Sequence, residues 1–289
     1  MSISRKQAEN IVKVLSEGLP YIQRFYGKKI IVKYGGAAMA KTDLKRGFAR
    51  DVALMKLVGM EPIIIHGGGP QIDRELDKAG IEKKFISGNR VTNKTAIKIV
   101  EKVLANQVNK EIVELIKSFG ASAIGMTSRN SNIINASKLD RDSENRLGLV
   151  GKVDLIRVSP IKKELKKGNI PVIAPIGIDN KGDFLNINAD TIAGEVSKAF
   201  KAEKLILLTD VQGIKDKRGK LLSKISPKKA KKILKEGIVK DGMRPKLLSA
   251  LDAISNNVTS AHIIDGRVPH VVLLEILTKE GVGTLISSK

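Results

Sequence analysis

Short runs rich in β-branched residues alternate along this chain with longer segments of helical periodicity, and no other feature restricts its fold as much. The runs lie at 29–33, 62–66, 170–176 and 204–209. Apolar residues recur at three- and four-residue steps over 43–58, 95–119, 189–200, 227–235 and 244–255. Such alternation predicts an α/β fold, a mostly parallel sheet with helices on both faces. Sheets of that kind place ligands beyond the C-terminal ends of their strands. The stretch 85–92, with Ser87-Gly88-Asn89 at its middle, reads as a hairpin, and the polar segment 140–147 as a surface loop. No internal repeat is present, and the softest candidate boundary falls near 176–186.

Composition says what kind of core such a sheet can have. Hydrophobic residues make up 42% of the 289 but aromatics only 3%, with no Trp, so the core is aliphatic. The length suits one large α/β domain or two modest lobes. The absence of Cys excludes disulfides, thiolate zinc sites and a cysteine nucleophile, and fits a reducing compartment. Three histidines, His66, His262 and His270, lack the close His/Glu spacing of zinc enzymes, so no protein-held metal site is expected.

A formal charge of +22 suggests an anionic partner, with nucleic acid as one reading. The excess is concentrated: between Lys215 and Lys246, 13 basic residues stand against 3 acidic. A lysine-rich composition throughout the source genome would give the same surplus with no binding site. Interleaved aromatics and a known nucleic-acid module are both missing, which argues against nucleic acid.

At the N-terminus, Ala8, Ile11, Val12, Leu15, Leu19 and Ile22 form one apolar helix face, expected to kink or end near Pro20. No apolar run approaches the ~20 residues that cross a bilayer. The N-terminus lacks the apolar core of a secretory signal, and Glu9 and Glu17 make it a poor transit peptide. The expectation is a soluble protein of the cytoplasm or a plastid stroma, with no membrane partner.

Two glycine clusters directly follow strands: Val32-Lys33-Tyr34-Gly35-Gly36 and His66-Gly67-Gly68-Gly69-Pro70. Without Cβ atoms, their backbone N–H groups can approach a phosphate or carboxylate closely. A helix after each cluster would add a partial positive charge. A pair of tight strand-to-helix turns is the plainer alternative. Familiar nucleotide motifs are absent. No G-x-x-x-x-G-K-[ST] occurs, Ile72 stands where a dinucleotide fingerprint needs glycine, and Gly182-Asp183-Phe184 has no H-R-D partner.

In order along nearly the whole chain come those two clusters, Gly88-Asn89-Arg90-Val91-Thr92 and Gly148-Leu149-Val150-Gly151. Leu185-Asn186-Ile187-Asn188-Ala189-Asp190, Leu208-Thr209-Asp210-Val211-Gln212-Gly213-Ile214 and Gly242-Met243-Arg244-Pro245-Lys246 come after them. By these segments the chain resembles the amino acid kinase family. The resemblance implies an open, mainly parallel central sheet sandwiched between helices and organised as two lobes. Residues 28–180 would bind the amino-acid substrate and 181–289 ATP, behind an N-terminal extension helix over 1–27.

The implied reaction transfers the ATP γ-phosphoryl group to the side-chain carboxylate of N-acetyl-L-glutamate. At neutral pH a glutamate side chain, with pKa about 4.3, is already an anion. No general base is needed, and the task is to bring a carboxylate up to a polyphosphate. By resemblance Lys33 and Lys246 reach the transferring group from opposite lobes and Asp190 orients them, although Asp190 could equally cap a helix. Amides at Gly35 and Gly36 would cradle the phosphates, and those of Gly68 and Gly69 would position the acceptor. Arg90 would clamp the α-carboxylate, and Asn186 would hydrogen-bond the substrate. Thr209, Asp210, Gly213 and Ile214 would line the ATP pocket. Magnesium would be held mainly by ATP oxygens.

The ends resemble arginine-inhibited, hexameric members of the family. There the N-terminal helix interlaces dimers into a trimer of dimers, and His262, Glu275 and Gly281 would form the arginine site. Glu275 could instead be a solvated helix residue and Gly281 part of a turn. PII signalling protein is a candidate partner by the same resemblance. A kinase acting on carbamate, aspartate, glutamate or UMP, a nucleic-acid-binding protein, and an inactive arginine sensor are the alternatives.

Overall fold

A computed structural model describes residues 4–86, 88–139, 146–239, 242–278 and 281–288. In chain order the elements begin with α1 (Arg5–Phe25), β1 (Lys29–Tyr34), α2 (Thr42–Leu57), β2 (Glu61–His66) and α3 (Gly69–Lys78). A hairpin of β3 (Phe85–Ile86) and β4 (Asn89–Arg90) leads to α4 (Lys94–Lys102) and α5 (Asn109–Ser118). Next come β5 (Ala123–Met126), β6 (Ile134–Lys138), β7 (Gly151–Ile156), α6 (Val158–Lys166), β8 (Ile170–Ile173), β9 (Ile176–Ile178) and β10 (Phe184–Asn186). The last third holds α7 (Ala189–Phe200), β11 (Lys204–Thr209), β12 (Lys224–Ile225), α8 (Pro227–Lys235), α9 (Met243–Ser255), β13 (Ser260–Asp265), α10 (Val271–Leu277) and β14 (Thr284–Ile286).

Among the described residues, eight strands form one sheet in the order β12-β14-β13-β11-β1-β2-β8-β5. Its pairs are parallel except β13 with β14. A smaller sheet, β10-β9-β6-β7, stands beside it. The predicted α/β class is what the chain adopts.

Strand alternation sorts the core into two layers. Ile30, Val32, Ile64, Ile206 and Leu208 face α2, α4, α5 and α10, with Phe48, Val52, Val100, Ile112 and Val272 packed against them. Ile31, Ile63, Ile65, Leu205 and Leu207 face the opposite layer, where α6, α7, α8 and α9 contribute Ile161, Ile192, Ile233 and Leu247. Central strands apolar on both faces leave no polar side, and for that reason they read as unbroken hydrophobic runs.

Three expectations need correction. Of the kink or end expected near Pro20, the end does not occur, since helix α1 continues to Phe25, and its start is fixed by a Ser4–Gln7 capping box. The run 170–176 is two strands in two sheets, because Pro175 has no N–H to continue a ladder. The segment 95–119 is not one α-helix. A π turn, Val103–Val108, separates α4 from α5. The hairpin predicted over 85–92 is present, with Ser87 outside the described residues. Of the loop predicted over 140–147, residues 140–145 also lie outside them.

Candidate active site

Strands β1 and β2 end side by side, with Tyr34 opposite His66. Each runs into a glycine cluster, and the Gly67 N–H donates to Tyr34 O at 2.7 Å. The clusters nearly touch, since a Cβ on Gly35 would lie 3.5 Å from Gly67 Cα and 3.1 Å from Lys33 Nζ. Gly36 has φ +63°, a conformation that favours glycine. It opens only a single 3-10 turn, Gly36–Met39, in place of the expected helix. The second cluster does open a helix, α3, with Gly68 at the N-cap and Pro70 in its first turn.

A cleft of about 190 Å³ opens beyond these strand ends. Lys33, Gly68, Gly69, Arg90, Asn186 and Asp190 all line it, so six residues singled out in the sequence meet in one place. Lys246, on α9, meets Asp190 behind the cleft wall. Its Nζ is 3.0 Å from Asp190 Oδ2, while Lys33 Nζ is 3.4 Å from Oδ1. The three side chains are almost fully buried. Asn188 caps α7 by accepting from the Asp190 N–H at 2.8 Å, so the Asp190 carboxylate is free to face both ammonium groups. With Asn188 as the cap, the carboxylate of Asp190 serves the lysines.

Burial opposes the charge on Asp190, but the two ammonium groups outweigh it and hold the carboxyl below its usual range. For Lys33 burial dominates, and with repulsion from Lys246 it lowers the ammonium pKa against the pull of Asp190. Two lysines flank the one buried carboxylate of Asp190, with Asp210 adding a weaker attraction on Lys33. Such a centre is built to receive anions.

Around this centre the structure adds residues that the sequence did not suggest. Arg90 Nη2 is 2.7 Å from Asp73 Oδ1, and the guanidinium lies over the Phe85 ring at 4.6 Å. Its buried Nη1 has no hydrogen-bond partner, so the guanidinium keeps a donor to spare at the cleft wall. Thr92 is fully buried and donates to Arg90 O at 2.7 Å while accepting from Asn186 Nδ2 at 3.1 Å. The two candidate substrate ligands are thus joined through one hydroxyl. Gly88, at the hairpin tip, lies against Pro245 at the start of α9.

The other candidates lie outside this cleft. Thr209 ends β11, the neighbour of β1, and donates to Asp210 Oδ1 at 3.3 Å. Gly213 and Ile214 are buried against β14, where the Ile214 N–H donates to Thr284 Oγ1 at 2.8 Å. The Ile214 side chain belongs to the core, so only its backbone can face a ligand. Among the described residues, no group of three His, Asp or Glu side chains could hold a metal ion.

His262, Glu275 and Gly281 also come together, near the N-terminal ends of β11 and β13. His262 Nδ1 donates to Glu275 Oε1, and the Val282 N–H donates to Oε2 at 2.9 Å. Lys204 Nζ is 3.1 Å from His262 Nε2 and 3.9 Å from Glu275 Oε1. Burial lowers the His262 pKa. Glu275, despite burial, is held ionised below its usual range by His262, the Val282 N–H and Lys204. Glu275 is therefore a buried, partnered carboxylate and not a solvated helix residue. The end of α1 reaches this cluster, with Phe25 under Lys204 at 5.2 Å and Arg24 3.9 Å from Glu203.

Comparison with known proteins puts names beside this geometry. The chain matches the model of the amino acid kinase family over residues 28–265. Acetylglutamate kinase of Hydrogenovibrio crunogenus is 49% identical over 297 residues, covering 100% of both chains. Acetylglutamate kinase of Marinobacter nauticus is 50% identical over 96% of this chain and 99% of its own. Among solved structures, N-acetylglutamate synthase from Neisseria gonorrhoeae, complexed with coenzyme A and N-acetyl-glutamate, superposes with a TM-score of 0.87 at 23% identity. That match covers 96% of this chain and 63% of the other. Carbamate kinase from Giardia lamblia bound to AMP-PNP superposes with a TM-score of 0.68 at 16% identity, over 91% of this chain and 99% of its own. At those identities the two structures speak for the fold alone.

Proposed function

The chain belongs to the amino acid kinase family, and from that premise we propose how its cleft works. The protein phosphorylates the side-chain carboxylate of N-acetyl-L-glutamate at the expense of ATP, giving N-acetyl-L-glutamyl 5-phosphate in arginine biosynthesis. The observation that carries the mechanism is the single carboxylate of Asp190 between the ammonium groups of Lys33 and Lys246.

Both reactants are anions, so the chemistry is limited by repulsion and alignment. Lys33 and Lys246 offset the charge that builds on the phosphoryl oxygens as the bond to the nucleotide breaks and the bond to the acceptor forms. Asp190 fixes the spacing of the two ammonium groups before any substrate arrives, so they need not reorganise during transfer. The unpartnered Nη1 of Arg90 takes the α-carboxylate, Asn186 hydrogen-bonds the acetylated substrate, and the Gly68 and Gly69 amides hold the carboxylate that is phosphorylated. Amides at Gly35 and Gly36 take the transferred group. Thr209, Asp210 and the backbone of Gly213 and Ile214 border the rest of the nucleotide. Magnesium, bound through the nucleotide's own oxygens, would screen the phosphates further. In this reading 28–180 is the acceptor lobe and 181–289 the nucleotide lobe.

The same reading includes feedback inhibition by arginine. Glu275 offers a buried, ionised partner for a guanidinium, and α1 lies against the same cluster as a candidate oligomerisation arm. Hexamer assembly and PII binding rest on resemblance, and so does a cytoplasmic location. An assay supplying ATP, magnesium and N-acetyl-L-glutamate, with and without millimolar arginine, tests the whole. Acyl phosphate should be trapped as a hydroxamate. Turnover of unacetylated glutamate or carbamate in place of the acetylated substrate would overturn the assignment.

A further inference from the structure

His66 ends β2 and has no exposed surface. Its two ring nitrogens have different partners: Nδ1 is 2.8 Å from Gly67 O, and Nε2 is 3.1 Å from Asn109 Nδ2. Chemistry decides which nitrogen carries the proton. The Asn109 side chain also lies 2.9 Å from Val172 O, which can only accept, so the Asn109 atom facing it must be the amide NH2. The second N–H of that NH2 points at His66 Nε2, which must then be the acceptor. The proton therefore sits on Nδ1 and is donated to Gly67 O. Burial depresses the His66 pKa to about 4 despite the Gly67 carbonyl, so the ring is neutral at physiological pH. No charged side chain among the described residues contributes. Tyr34, at the same register on β1, has its pKa raised by burial and is neutral as well.

Two unusual pieces of backbone serve Asn109. The π turn Val103–Val108 immediately precedes it. Such a turn adds a residue to the helix and rotates everything after it, which re-aims side chains. Gly125, on β5, makes the room, since a Cβ there would overlap Asn109 Oδ1. The same π turn carries Leu104 into the cleft, against Gly68. Gly67 is thus pinned on both sides, its N–H by Tyr34 O and its carbonyl by His66. In a trans peptide the N–H points opposite to the C=O. Holding the Gly67 carbonyl against the ring turns the Gly68 N–H away from it, toward the cleft, and among the described residues that N–H has no acceptor.

We propose that His66 and Asn109 are positioning residues for the phosphoryl acceptor, a neutral pair that aims the Gly68 amide by holding the Gly67 carbonyl. The proposal rests on the reading that the Gly68 and Gly69 amides hold the acceptor carboxylate.

The test compares two amide substitutions that mimic different halves of the ring. In His66→Asn the side-chain nitrogen overlaps Nδ1 and keeps the donor to Gly67 O. In His66→Gln it overlaps Nε2 and loses that donor. The expected result is a KM for N-acetyl-L-glutamate within about twofold of the starting protein for His66→Asn and raised about tenfold or more for His66→Gln, with KM for ATP unchanged in both. Asn109→Asp should raise the same KM at pH 8 and recover as pH falls, because a doubly protonated ring can again donate from both nitrogens. Equal acceptor KM values for His66→Asn and His66→Gln would overturn the proposal. In the unsubstituted protein, 15N shifts of the labelled ring must report the Nδ1–H tautomer at pH 7. An Nε2–H tautomer would overturn it even if a variant fails to fold. Calorimetry of the unsubstituted protein with N-acetyl-L-glutamate separates the two levels: no binding there sinks the reading beneath, whereas binding without the variant split sinks only the positioning role.

Discussion

Asp190 answers two ammonium groups at once, and removing any of the three changes the charge that an incoming phosphate meets. Lys33→Ala or Lys246→Ala is expected to lower kcat by at least ~100-fold, the scale for losing one preorganised donor, as read in the coupled assay. A variant within about twofold of normal turnover would remove that lysine from the mechanism. His66 gives a prediction of a different kind. Its folded pKa of about 4 lies below the unfolded value, so between pH 6.5 and 4 the unfolded chain binds a proton that the folded protein refuses. Stability from this group is therefore present above pH 6.5 and lost as pH falls toward 4, by at most about 3 kcal/mol. Denaturant titrations should show that slope reduced in His66→Asn. Lys33, Asp190 and Lys246 were legible in the sequence because each sits in a motif of fixed local spacing. Asp73 and Asn109 were not, and Thr92 stood in a motif without a role of its own. Their roles come from contacts across long stretches of chain, such as Asn186 to Thr92 and Asn109 to Val172, and no local pattern announces such a partner.

Among the elements, the central strands were readable because burial on both faces writes them as unbroken apolar runs. β13 is buried in the same way, but His262 interrupts its apolar run, and in the sequence its residues stand out only as part of a ligand motif. The failures each have a local cause. Pro175 splits one run between two sheets, while Pro20 does not stop α1. The periodicity of 95–119 hides the π turn, since one extra residue hardly disturbs an apolar pattern yet re-aims Asn109. Helix α1 keeps Val12 61% exposed and Leu19 52% exposed, while Phe25 at its end joins the core with Tyr21 packed against it. Deleting residues 1–20 should therefore leave the kinase reaction running while lowering the solution mass measured by light scattering and weakening inhibition by arginine. A truncated protein with unchanged mass and unchanged inhibition would detach α1 from both roles.

At the scale of the whole molecule, catalysis and the arginine response would sit toward opposite ends of the strands of one sheet. Lys204 begins β11 and Thr209 ends it, and His262 lies on β13 one strand further out. Glu275→Gln removes the ionised partner while keeping the side-chain shape. The ratio of rates with and without millimolar arginine should fall to about one, and sensitivity that persists would remove Glu275 from the regulatory site. The net charge of +22 fits two anionic substrates without being required by them, and the surplus between Lys215 and Lys246 lies largely outside the cleft. One property of the main sheet bears on how such a molecule can move. β1 and β11, on which the implied acceptor and nucleotide halves meet, are hydrogen-bonded neighbours from Ile30 with Lys204 to Lys33 with Leu207. Backbone ladders hold adjacent strands about 4.8 Å apart, so the halves cannot swing as two plates on a hinge. Adjustment around a nucleotide has to come as torsion spread through a common floor, or as rearrangement of the turns above it, and a change of twist at one end of these strands is felt at the other.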